Sequence, residues 1–182
     1  HKNQFIKADG SGANYDDFEY NMVISQLLDI ASFTGIRAED FLIRNIEFGV
    51  NIEISHAPKE FLTDRLILHK GQEFIPFTPG PNGNSLGYWN KHSHYWLKLY
   101  DKGMQYGLPY NLLRVELKYI RMEKLSKMGI RTMWDLMNVS NIKSLKQLLM
   151  TKWNEVLLNE DIVNDAIEPA ERRFIENCWN PK

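Results

Sequence analysis

His92-Ser93-His94-Tyr95-Trp96-Leu97-Lys98-Leu99-Tyr100-Asp101-Lys102 is followed by a glycine- and proline-broken turn and then Leu112-Leu113-Arg114-Val115-Glu116-Leu117-Lys118. Both runs alternate, and a period of two is the signature of a strand with one buried face. Ser93, Tyr95, Leu97 and Leu99 share one parity and read as the core side. His92, His94, Trp96, Lys98, Tyr100 and Lys102 share the other. From the second run, Arg114, Glu116 and Lys118 alternate with Leu113, Val115 and Leu117. The expectation is two neighbouring strands presenting imidazoles, a phenol, cations and a carboxylate on one face. A merely solvated face with incidental lysines is the plain alternative.

The clearest strand lies upstream, over Arg44 to Ser55. Ile46, Phe48, Val50, Ile52 and Ile54 alternate with Glu47, Gly49, Asn51 and Glu53. A face carrying Glu47 and Asn51 offers oxygen to a divalent cation, or else is an exposed edge. Around these strands, helices are expected over Tyr15 to Ser32 and Pro58 to His69, and a short strand over Glu73 to Phe77. The loop of residues 78–87 contains Asn82-Gly83, which suits a tight hairpin turn. Beyond Met122 the texture becomes helical. Short helices fit Arg121–Lys127 and Arg131–Asn138, and a longer one begins near Ser140 and runs to Asn159. A helical tail follows over Asp161–Ile167 and Pro169–Trp179. The fold class is therefore α+β, an antiparallel sheet covered by helices on one face. The chain divides into a main unit, residues 1–138, and a helical extension, residues 139–182, packed on it.

Composition sets outer bounds. The chain has 182 residues, 43% hydrophobic and 25% charged, a globular balance. The single cysteine, Cys178, excludes an internal disulfide framework and fits a reducing, cytoplasmic setting. No apolar run reaches the roughly 18 residues of a membrane span. No basic segment leads into an apolar one at the start, so no signal peptide is expected, and His1 suggests that the natural start lies elsewhere. The net charge of −1 argues against indiscriminate nucleic-acid binding. Its distribution points the other way. Residues 85–131 hold nine Lys/Arg against three Asp/Glu, while residues 1–84 hold seven against twelve. A basic zone on a near-neutral protein is what a phosphate-tracking site needs.

The residue types assign roles. Two histidines two apart on a strand point the same way and can offer both imidazoles to one metal. With Glu47 and Glu116 they make a mixed nitrogen/oxygen site suited to Mn²⁺ or Mg²⁺, with Zn²⁺ also open. Lys91, Lys98, Arg114 and Lys118 suit phosphate. Tyr100 is the first candidate nucleophile, because it lies between Lys98 and Lys102. Tyr106, on the turn, is the second. Either phenol needs activation, since its free pKa is near 10. Tyr88, Trp89, Tyr95 and Trp96 are either core or platforms for unpaired bases.

Tyr100-Asp101-Lys102, Gln105-Tyr106 and Arg114-Val115-Glu116 resemble the replication initiation proteins of phages and plasmids, most of all the gene II/gene X type. Asn45-Ile46-Glu47-Phe48-Gly49-Val50-Asn51 is similar to that group's early acidic strand, and Gly129-Ile130-Arg131-Thr132-Met133-Trp134-Asp135-Leu136 fits its later pattern. The resemblance spans roughly residues 41–138. It implies an HUH-endonuclease-like sheet and a metal-dependent nickase that starts rolling-circle replication in a prokaryotic cell. A tyrosine would attack single-stranded origin DNA and stay joined to the 5′ phosphate, with a host helicase or polymerase as further partner. Two departures stand out: Ser93 replaces the bulky residue between the paired histidines, and no tyrosine begins a Tyr-x-x-x-Lys helix. The rivals are an origin-binding module without nuclease activity and a protein-interaction domain, and the oligomeric state stays open.

Overall fold

A computed structural model describes residues 20–79 and 85–159. The expected helices at 161–167 and 169–179, the Asn82-Gly83 turn, the loop of residues 1–15 and the start of the first helix lie outside these residues. Helix α1, Tyr20–Thr34, ends at Gly35, whose φ of +66° is open to glycine without strain. Strand β1, Ile46–Glu53, lies within the expected strand with Ile46, Phe48 and Val50 packed on the core, while Ile52, expected on that side, is exposed at the strand's end.

The next segment departs from expectation. Pro58 opens a one-turn helix, α2 (Pro58–Glu60), which runs into a π turn over Phe61–Arg65. There the helix stops. Leu66–His69 is strand β2, pairing with β3 (Gln72–Glu73). A short apolar run reads equally well as helix or strand, and partners on both sides of β2 decide the outcome. After β4 (Ile75–Phe77) comes β5 (Gly87–Lys91).

The opening stretch is divided rather than continuous. Strand β6 begins only at Tyr95 and ends at Asp101, so residues 92–94 form the turn between β5 and β6. Lys102 starts helix α3 (Lys102–Tyr106), where the Asp101 carboxylate caps the free Met104 N–H at 2.8 Å. Strand β7 covers Leu112–Tyr119, followed by α4 (Glu123–Lys127), α5 (Met133–Leu136) and α6 (Val139–Trp153). The Asn138 side chain caps α6. The expected continuation of this helix to Asn159 is instead strand β8, Val156–Leu158, on the far side of β2.

The main sheet is antiparallel in the order β1-β7-β6-β5-β4, and a smaller sheet has the order β3-β2-β8. Leu97, Leu99, Val115 and Leu117 fill one face of the main sheet and share a core with Leu125 of α4 and Leu145, Leu148 and Leu149 of α6. The helical cover therefore lies on that face, and α6 packs on the same core as the strands. Each fully buried leucine contributes roughly 1.5–3 kcal/mol. Leu97, on the central strand and fully buried, should cost about 2–5 kcal/mol of unfolding free energy when replaced by Ala, read from a urea transition. No helix among the described residues is long and apolar enough to cross a membrane.

Candidate functional site

Register builds the site. Strand β1 pairs with β7 so that Glu47 lies opposite Lys118, Gly49 opposite Glu116 and Asn51 opposite Arg114. Strand β6 then sets Trp96 opposite Lys118, Lys98 opposite Glu116 and Tyr100 opposite Arg114. All of these occupy the face away from the helical cover. The expected parity thus holds for Trp96, Lys98 and Tyr100, and Glu47 joins them from 51 residues away from Lys98.

Glu116 is the hub. Its carboxylate accepts from Tyr100 Oη at 2.8 Å, from Arg114 Nε at 3.0 Å and from Lys98 Nζ at 3.3 Å. Lys98 Nζ also reaches Glu47 Oε1 at 2.6 Å. One ammonium thus sits between two carboxylates. Lys118 Nζ lies 3.6 Å from the other Glu47 oxygen, and Arg114 Nη1 donates to Asn51 Oδ1 at 3.0 Å. Lys102, fully buried, places Nζ 3.5 Å from Tyr100 Oη and 4.6 Å from the Tyr106 ring centre.

Two glycines make this packing feasible. A Cβ on Gly49 would stand 2.3 Å from the Val115 carbonyl oxygen and 2.8 Å from Glu116 Cγ. A Cβ on Gly87 would stand 2.7 Å from the Phe77 ring and 2.9 Å from Tyr100 Cβ. Each leaves room for a close approach that any Cβ would block.

Burial and charge tune the groups. Burial opposes the charge on Glu116, but a hydrogen bond with the Glu47 carboxyl and the charges of Lys98 and Arg114 outweigh it, holding Glu116 at about 2. Burial, then the Glu116 charge, pushes the Tyr100 phenol up, so its proton is firmly held. Burial and the Arg114 guanidinium bring Lys102 down to about 8. Tyr100 is 6% exposed and Tyr106 40%.

An aromatic flank adjoins the cluster. Lys91 Nζ sits 3.5 Å from the Trp89 ring centre and 4.9 Å from that of Trp96, and Lys118 approaches Trp96 from 5.5 Å. Phe77 stacks on Trp89 at 4.9 Å. Of the four aromatics that composition left ambiguous, Tyr88 and Tyr95 pack with the core, whereas Trp89 and Trp96 lie on the working face. The signal for Trp89 was the alternation of Gly87, Trp89 and Lys91 on a strand of its own. Gly49 and Gly87 carried no chemical pattern.

The two histidines do not act as the expected pair. Because they occupy a turn, their side chains do not share a strand face. His92 Nε2 lies 2.9 Å from His69 Nδ1, while His94 Nδ1 lies 3.7 Å from Glu123 Oε2. Neither contacts Glu47 or Glu116. Among the described residues no group of three or more His, Cys, Asp or Glu is placed to hold a metal ion. Two carboxylates remain, and Mg²⁺ or Mn²⁺ is commonly held by one or two carboxylates with waters and substrate phosphate completing the shell. That donor set fits a hard cation at Glu47 and Glu116 in place of the Lys98 ammonium. No family model, curated protein or solved structure matches this chain.

Proposed function

We propose that this chain nicks and rejoins single-stranded DNA through a covalent 5′-phosphotyrosine and initiates rolling-circle replication in a prokaryotic cytoplasm. One observation carries the reading: Tyr100, Lys102, Lys98, Arg114, Glu116 and Glu47 converge on one sheet face, with a phenol hydroxyl touching both a carboxylate and a buried amine. On this reading the sheet is HUH-endonuclease-like.

Each group has a task. Tyr100 Oη attacks the backbone phosphorus, the bond to the 3′ oxygen breaks, and the departing 3′ oxygen takes up a proton. The reverse attack by a 3′ hydroxyl rejoins the strand. Lys102, brought down to about 8, is mostly an ammonium that donates to Tyr100 Oη at neutral pH, and its neutral form, which grows as pH rises through 8, is the one that would accept the phenol proton. Glu116, at about 2, is too weak a base and serves to aim the hydroxyl. Arg114, Lys98 and Lys118 compensate phosphate charge, with Lys91 on the flank. Glu47 and Glu116 would hold Mn²⁺ or Mg²⁺, which would supply Lewis-acid polarisation of the phosphate. Tyr100 is covered, so attack requires the Phe77 edge packed against its ring to give way. Tyr106, on α3 and more exposed, is the alternative nucleophile.

Trp96 offers a stacking surface for unpaired bases, while the Trp89 ring is stacked on Phe77 and lies under the Lys91 ammonium. Trp96→Ala should weaken single-stranded DNA binding by about 1–3 kcal/mol while affecting duplex binding little, measured by fluorescence anisotropy. Affinity should also fall steeply with salt. Equal loss on both DNA forms would count against stacking. A non-catalytic origin-binding module would keep this binding and salt response but form no covalent product. Docking of a helicase or polymerase, and the oligomeric state in which the protein acts, belong to the same proposal and would be read from complex formation on nicked origin DNA.

A further inference from the structure

A second cluster of polar side chains lies where the two sheets meet, away from the Glu47–Glu116 face. His69 of β2 is fully buried. Its Nδ1 faces Asn90 Oδ1 at 3.2 Å and His92 Nε2 at 2.9 Å. Its Nε2 faces Glu155 Oε2 at 3.3 Å. Glu155, in the turn between α6 and β8, is also held by Lys152 Nζ of α6 at 2.8 Å and by Lys70 Nζ of the β2–β3 turn at 3.4 Å. Tyr95 of β6 meets the His69 ring edge-on and packs in turn against Tyr119 of β7, and both hydroxyls are buried and without a partner among the described residues.

Hydrogen-bond direction fixes the protons. Asn90 Nδ2 donates to the carbonyls of Gln72 at 2.8 Å and Glu73 at 3.1 Å. Its Oδ1 is therefore the atom aimed at His69, and an amide oxygen only accepts. His69 Nδ1 must carry a hydrogen. His92 Nε2, on the same side, must then be the bare nitrogen and accept. In the neutral state His69 Nε2 is also bare, and it faces a carboxylate.

We infer that His69 and His92 form an acid-sensitive latch between the two sheets, which accommodates one added proton and opens with two. The first proton enters His69 Nε2, which has no hydrogen-bond partner among the described residues, and turns its 3.3 Å contact with Glu155 into an ion pair. The second has to enter His92 Nε2. Two N–H groups then face each other across 2.9 Å, and two cationic rings sit beside Lys70 and Lys152. The latch ties the β5–β6 turn, and with it the strands that carry Lys91 and Trp96, to the smaller sheet. Burial lowers both imidazoles below the ordinary 6.5, and for His92 the His69 charge lowers it further. The sign follows. The folded state binds fewer protons than the unfolded chain, so the contribution to stability is complete above about pH 6.5 and is lost as pH falls below it.

The test uses the full chain and is independent of any DNA chemistry. Nitrogen-15 NMR of the imidazoles at neutral pH should show His69 protonated at Nδ1 and His92 bare at Nε2, and on acidification His69 should take its proton first. Urea midpoints of wild type and His92→Gln are compared between about pH 7 and about pH 5. Gln can still accept from His69 but cannot titrate. Its midpoint should fall by less than half as much as that of wild type. An equally steep fall in the variant overturns the latch. So do two rings that titrate independently at the ordinary value, or a His69 ring bare at Nδ1.

Discussion

Glu116→Gln will lower DNA strand cleavage by about 10²–10³-fold while changing single-stranded DNA affinity only a few-fold. The substitution keeps the side chain's shape and removes its charge. Three donors, Tyr100 Oη, Arg114 Nε and Lys98 Nζ, converge on this carboxylate. With Gln in place, the phenol loses its charged acceptor and the carboxylate pair becomes a single carboxylate. Only interactions that act in the transition state alter rate without altering binding, which is why the two readouts should separate. Stability will fall too, by on the order of 3 kcal/mol, because Arg114 loses a buried charged partner while Lys98 keeps Glu47. Glu116 is held at about 2 against an ordinary 4.5. Its stabilising contribution is therefore complete above about pH 4.5 and lost as pH falls towards 2, and the variant's deficit should shrink over that acid range. Equal loss of cleavage and binding would point to damage of the sheet instead.

Tyr100→Phe will abolish covalent attachment to DNA and leave the fold within about 1–2 kcal/mol of wild type. The ring stays, so its packing against Phe77 and the space above Gly87 are preserved. What disappears is one hydroxyl and its 2.8 Å bond to Glu116. A circular dichroism melt checks the fold, and a denaturing gel checks attachment. Tyr106→Phe should retain most attachment. If Tyr100→Phe attaches DNA as wild type does and Tyr106→Phe does not, the nucleophile is Tyr106.

The parts of this site that sequence made legible are those written in a clean period of two. Strand β1 is one, with Ile46, Phe48, Val50 and Ile52 alternating against Glu47, Gly49 and Asn51. Strands β6 and β7 are others, and their alternation put Lys98, Tyr100, Arg114, Glu116 and Lys118 on one face. Local pattern carries no register, so the meeting of Glu47 with Lys98 awaited the pairing of β1 with β7. The histidines show the opposite case. Alternation extended through His92 and His94 looked like strand, yet a turn of residues 92–94 occupies that place, and a turn removes the shared direction that a paired ligand set needs. Leu66–His69 and Val156–Leu158 were hidden for another reason. Each is too short to reveal a period, and each is a strand because of the strands beside it: β3 and β8 for Leu66–His69, and β2 for Val156–Leu158. Gly49 and Gly87 matter for the room they leave, which no residue pattern states.

The central claim is that Tyr100 forms a phosphodiester with DNA, and one measurement addresses it directly. Wild-type protein is incubated with a randomised single-stranded DNA library and Mn²⁺, denatured, digested and analysed by mass spectrometry. The account predicts a peptide carrying a 5′-linked nucleotide on Tyr100, absent when the chelator EDTA is added. Absence of any DNA-linked peptide, or a nucleotide attached at a residue other than Tyr100, would contradict it.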